Sequence, residues 1–115
     1  MEAALPAGAQ VIRTMPNTPA KLGRGVTALA AGSAATPESV DLVTNLLSGT
    51  GRIVEVREDQ INAVGSVSGS GPAYAFYLAE AMARAGADLG LDPELSALLA
   101  AETIAGAGAM LAEPG

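Results

Sequence analysis

The feature that most limits what this chain can fold into is a change of pattern near Glu58. Before it, short β-prone runs alternate with loops and one helix; after it, every periodic segment is helical. Val11-Ile12-Arg13-Thr14-Met15 is a β-prone run stopped by Pro16. Met15-Pro16-Asn17-Thr18-Pro19 must be extended or turning, because a residue before proline is pushed out of the helical region. Val26-Thr27-Ala28-Leu29-Ala30 lacks strict alternation and reads as a strand buried on both faces. Thr36-Pro37-Glu38 has the chemistry of a helix start: a capping hydroxyl, proline in the first turn and an acid near the positive end of the dipole. Val40, Val43, Leu46 and Leu47 give that helix its apolar side, Gly49 and Gly51 end it, and Arg52–Val56 is a third strand. The order β-loop-β-α-β predicts an α/β layer.

From Glu58 the prediction is a short helix to Val64, a break at Ser66–Gly71, then a helix from Ser70 or Gly71 to about Leu89, stopped by Gly90. Within it, Glu80 and Arg84 have the favourable i,i+4 order. Asp92-Pro93-Glu94 opens a last helix that reaches about Ala112. Small residues at Ala101, Ala105, Gly108 and Ala112 leave a groove for a close helix neighbour. Three strands and one helix leave sheet edges and one face uncovered. The two Ala-rich helices have little apolar bulk between them. The expectation is a piece of something larger, or a subunit that completes its core with a partner.

Composition removes several chemistries. The 115 residues contain no Cys and no His, which excludes disulfides, thiolate or imidazole zinc sites and the Ser-His-Asp arrangement. Lack of Cys fits a cytoplasmic protein. The net charge is −6, and Arg84 is the only basic residue after position 60. An acidic helical half argues against nucleic-acid and anionic-membrane surfaces. Leu95–Ala112 is apolar, but it carries Glu102 and is mostly Ala, so it is expected to be a buried helix rather than a membrane span.

Gly65-Ser66-Val67-Ser68-Gly69-Ser70-Gly71-Pro72 is the densest chemical signal. Bare glycines before a helix with unpaired N–H groups make an anion site for a carboxylate or phosphate; the plainer reading is an ordinary helix start after a flexible turn. The run lacks the Lys of a phosphate-binding P-loop and is not a dinucleotide G-x-G-x-x-G. Met15–Pro19 is either a preorganised ligand contact at a strand end or a plain turn. Glu55, Glu58 and Asp59 read as solvated charges near a strand end. Tyr74, Phe76 and Tyr77 read as a core or interface patch.

Three runs, in this order, are similar to one family: Val11–Pro19, Asp59–Val64, and Ser68-Gly69-Ser70-Gly71-Pro72-Ala73-Tyr74. They resemble pyrroline-5-carboxylate reductase, from about Leu5 to Glu113. The resemblance implies that residues 1–57 are the end of an NAD(P)-binding Rossmann-like domain and that 58–115 begin a helical dimerisation domain. It implies NADPH or NADH as hydride donor, reduction of 1-pyrroline-5-carboxylate to L-proline, and a homo-oligomer formed through the helices of 58–115. It puts Pro16, Asn17 and Thr18 on the nicotinamide side of the cleft, and Glu58, Gly69, Ser70 and Gly71 on the substrate side. Arg13 is expected to be structural, paired with a carboxylate. The family's Gly-rich first strand-turn-helix and its later S-P-G-G-T-T run are not in this sequence. The expectation is therefore the middle of such an enzyme, with little or no activity alone. The alternative is a helical oligomerisation module without catalysis.

Overall fold

A computed structural model describes residues 1–113. They form two compact units, Met1–Pro72 and a second from Ala73 onward. In the first, β1 (Ile12–Met15) lies antiparallel to β2 (Gly25–Ala31), which lies parallel to β3 (Gly51–Glu55), in the order β1-β2-β3. The parallel pair requires a crossover, and α1 (Pro37–Leu47) supplies it. Its start follows the local chemistry: the Thr36 hydroxyl accepts from the Ser39 N–H, and the Ser39 hydroxyl accepts from the Thr36 N–H.

β2 is buried on both faces, as its unbroken apolar run requires. Ala28 and Ala30 point to one side and Thr27 and Leu29 to the other, all nearly inaccessible. The expectation of one bare face is corrected here. A 3₁₀ turn at Glu58–Gln60 leads into the short helix α2 (Ile61–Val64), and Ile61 packs on Ala28 and Ala30, with Met15, Val54, Val56 and Val64 around it. One turn of helix suffices because the alanines leave a shallow surface that a single branched side chain fills.

The predicted break at Ser66–Gly71 is also corrected. Gly65–Gly69 is a π-helical turn that carries α2 toward α3 (Gly71–Asp88). Gly and Ser weaken an α-helix, yet here each serine hydroxyl turns back onto a carbonyl: Ser66 onto Asn62, Ser68 onto Val64 and Ser70 onto Gly65. The Asn62 and Gly65 carbonyls also accept backbone N–H groups, from Gly65 and Ser70, so the hydroxyls add second bonds there.

In the second unit, α3 ends before Gly90, whose φ of 104° is open only to glycine at low cost. Arg84 pairs with Glu80 at 2.9 Å. The Asp92 carboxylate caps α4 (Pro93–Ala112) by accepting from the N–H groups of Glu94 and Leu95. The two helices meet closely at Gly86, where the Ser96 hydroxyl lies in the space a Cβ would need and donates to the Ala83 carbonyl at 2.6 Å. The expected burial of Leu95–Ala112 does not hold within this chain. Only Ser96 and Ala100 of α4 are buried, and Leu98, Leu99, Met110 and Leu111 are exposed. By length and composition α4 could also cross a membrane. Tyr74, Phe76 and Tyr77 likewise face solvent rather than a core.

Candidate functional site

The residues singled out from sequence fall at two ends of the small sheet. At the first, β1 finishes while β2 and β3 begin, with Gly25 opposite Gly51. Pro16 ends β1, and a 3₁₀ turn at Thr18–Leu22 folds the chain back onto the start of β2. The turn closes against Gly25 so tightly that a Cβ there would lie 2.8 Å from the Ala20 backbone. Asn17 fixes this loop: its Oδ1 accepts from the Val26 N–H at 3.0 Å. That leaves the side-chain amide nitrogen of Asn17 and the exposed Thr18 hydroxyl as the polar groups at the loop's surface. Both can donate to a ligand.

The Gly- and Ser-rich turn reaches the same end. Gly65 sits against the Met15 thioether, 3.5 Å from where its Cβ would be. Val67 and Ser68 border Val26 across an apolar groove of about 360 Å³, with Val54, Val56 and Val64 on its other walls. Gly69 and Ser70, next in the chain, are exposed, and Gly71 is half-buried. The unpaired N–H groups expected from a fresh helix start are fewer than that reading required, because the Ser70 N–H is donated to the Gly65 carbonyl at 3.0 Å.

Glu58 is placed elsewhere. It follows the C-terminal end of β3, and its carboxylate pairs with the Arg13 guanidinium on β1. Ten wound residues separate it from Gly69, roughly 15 Å along a helical path. A cleft of about 340 Å³ opens beside the pair, lined by Val11, Arg13, Ala30, Gly32, Ser33 and Glu58. Sequence reasoning expected a carboxylate for Arg13 without naming Glu58, a partner 45 positions away. It missed Glu2 entirely, whose Oε1 accepts from both the N–H and the hydroxyl of Ser33 beside the same cleft. No local pattern marks that contact. Glu55 is exposed, and Asp59 pairs at the surface with Arg57. Among the described residues no group of acids could hold a metal ion.

Comparison with known proteins gives these runs a common context. The sequence pattern of the family Pyrroline-5-carboxylate reductase dimerisation matches residues 58–115. Pyrroline-5-carboxylate reductase of Mycobacterium tuberculosis (strain ATCC 25618 / H37Rv) is 49% identical over 112 residues, which cover 97% of this chain and 38% of that protein. The enzyme of Corynebacterium melassecola is 41% identical over 115 residues, covering 43% of its length. The chain thus spans about two fifths of the length of these curated relatives. A pyrroline-5-carboxylate reductase from Coxiella burnetii superposes with a TM-score of 0.90 at 35% identity, over 99% of this chain and 43% of the other. The Plasmodium falciparum enzyme, solved with NADP bound, gives 0.88 at 28% identity over 98% of this chain and 46% of the other. The three-stranded sheet and the helices after it are therefore the end of a Rossmann-like layer and the helical segment that follows it in these enzymes, and the chain belongs to the pyrroline-5-carboxylate reductase family.

Proposed function

We propose that this chain is the central part of a pyrroline-5-carboxylate reductase, with residues 1–57 closing the cofactor domain and 58–115 opening the dimerisation domain. The observation that carries the reading is the convergence at Val26. The loop Pro16-Asn17-Thr18 is hydrogen-bonded to it, and the Gly- and Ser-rich turn lines the same apolar groove. Two motifs roughly 50 residues apart in sequence thus face one end of one sheet.

The groups present fit NADPH or NADH approaching from that end. Asn17 and Thr18 offer an amide and a hydroxyl to a carboxamide, on a loop already pinned to β2. When bound, the reduced nicotinamide would supply the hydride for the C=N carbon of 1-pyrroline-5-carboxylate, and with a proton on the imine nitrogen the product is L-proline. This chain's share is placement. Pro16, Asn17 and Thr18 hold the nicotinamide side of the cleft. Gly69, Ser70 and Gly71 wall the substrate, with no side chain at the two glycines to keep it away. Glu58 lies roughly 15 Å from that turn along its own chain, so in this reading it reaches the substrate of a second copy. The exposed faces of α3 and α4 supply the homo-oligomer that this needs. A cytoplasmic setting, with no nucleic-acid or membrane partner, belongs to the same reading and rests on the acidic helical half and the lack of Cys.

The test places this chain in the matching span of the Mycobacterium tuberculosis relative. The chimera is expected to reduce 1-pyrroline-5-carboxylate with NADPH or NADH, and the isolated chain to show nearly no turnover. A chimera that folds and dimerises without turnover would favour the non-catalytic helical module instead.

A further inference from the structure

We infer that Arg13 is a positioning residue for Glu58, setting the carboxylate that the proposed function assigns to the substrate side; the inference rests on that reading. Arg13 is mounted in the middle of β1, opposite Ala30, one of the least accessible residues of the sheet. Its side chain therefore leaves a rigid base. Glu58 has no such support: it opens a 3₁₀ turn after β3, and its side chain is 60% exposed. A free Glu side chain samples many rotamers, and fixing it costs conformational entropy at the moment of binding. The guanidinium takes one carboxylate oxygen, Oε1, in an ion pair that spans 45 residues of sequence. Holding one oxygen narrows the rotamers open to the carboxylate beside the 340 Å³ cleft that both residues line.

The pair is a poor candidate for a stability element. Arg13 is 39% exposed and Glu58 60%, a range in which ion pairs contribute little to folding. Glu2 is the other carboxylate on the cleft, and it is engaged with Ser33, so Arg13 and Glu58 are left to each other. A guanidinium suits this task better than an ammonium. It is planar, and its donors are fixed in direction, whereas Lys is a point charge on a flexible stem.

Steady-state kinetics on the chimera tests this with the variants Arg13→Gln, Arg13→Lys, Glu58→Gln and the double variant Arg13→Gln/Glu58→Gln. Arg13→Gln is expected to raise KM for 1-pyrroline-5-carboxylate about tenfold while leaving KM for the nucleotide unchanged. Arg13→Lys should recover part of that loss. The double variant should match Glu58→Gln alone, because Arg13 acts only through that carboxylate. If Glu58→Gln raises KM and Arg13→Gln does not, the inference fails while the functional reading stands. Multiplying losses in the double variant would also overturn it, since Arg13 would then act independently. If Glu58→Gln changes nothing, the substrate-side role of Glu58 falls and takes the inference with it; if the parent chimera is inactive, the functional reading itself falls. Should Arg13→Gln fail to fold, KM of Arg13→Lys decides: an unchanged value overturns positioning by the fork, and a rise for the imine substrate alone supports it.

Discussion

Gly51 opens β3 at a φ of 133°, directly across from Gly25. A Cβ on Gly51 would fall 2.1 Å from the Gly25 carbonyl oxygen and 2.6 Å from its nitrogen. Backbone cannot swing aside as a side chain can. Gly51→Ala is therefore expected to destabilise the first unit by about 3 kcal/mol, read by thermal or urea unfolding. Asn17 allows a subtler separation. Asn17→Ala removes the acceptor for the half-buried Val26 N–H and should cost about 1–2 kcal/mol. Asn17→Asp keeps that acceptor but replaces the amide donor with a second oxygen. Its stability should stay near that of the parent while nucleotide binding by the chimera weakens. Equal stability loss in both variants would show that the carbonyl bond is not what Asn17 contributes. The motif around Asn17 is legible in the sequence because Pro16 and Pro19 punctuate it. The acceptor bond is not, because its partner lies beyond a turn whose closure on Gly25 depends on tertiary packing.

Local chemistry accounts for the elements that the sequence delineates well. α1 starts where Thr36 and Ser39 cap each other, and α4 starts where Asp92 caps two N–H groups, both within four residues of chain. The third strand and the doubly buried second strand follow from runs of apolar residues. Non-local choices are hidden. Nothing in Ile12–Met15 says that β1 runs antiparallel to β2, and only Ile61 and Val64 mark α2 as the cover for a sheet face. The π turn escapes a residue-by-residue reading because glycine and serine argue against helix when taken one at a time. The chain stays wound through backbone bonds such as Ser70 N–H to the Gly65 carbonyl, and the three hydroxyls add second bonds to carbonyls of the preceding turn. Replacing Ser66, Ser68 and Ser70 together by Ala should lower stability by no more than about 1 kcal/mol in denaturant unfolding, since the bonds of Ser66 and Ser70 are exposed. An unchanged midpoint would mean that the turn is held by its backbone alone.

At the scale of the whole molecule, the two units solve burial in different ways. The first closes a small core around Ala28, Ala30 and Ile61. The second leaves Leu98, Leu99, Met110 and Leu111 in water, together with Tyr74, Phe76 and Tyr77. So many large apolar side chains left in water mark association surface. A charge placed there should break association without touching the first unit. Leu98→Asp/Leu111→Asp is expected to sediment as a monomer at concentrations where the parent is a dimer or larger. If the parent is itself monomeric, the exposed faces serve something other than self-association. The small residues of α4 already signal the need for a partner. How little of α4 its own chain shields is not written in them, since burial is settled by neighbours and not by composition.

The near-complete exposure of α4 carries a consequence for any measurement of melting. Where shelter from water comes from another molecule, unfolding and dissociation become one equilibrium governed by mass action. The temperature at which α4 loses its helix should climb with protein concentration, and a dilute sample should unravel from this end first.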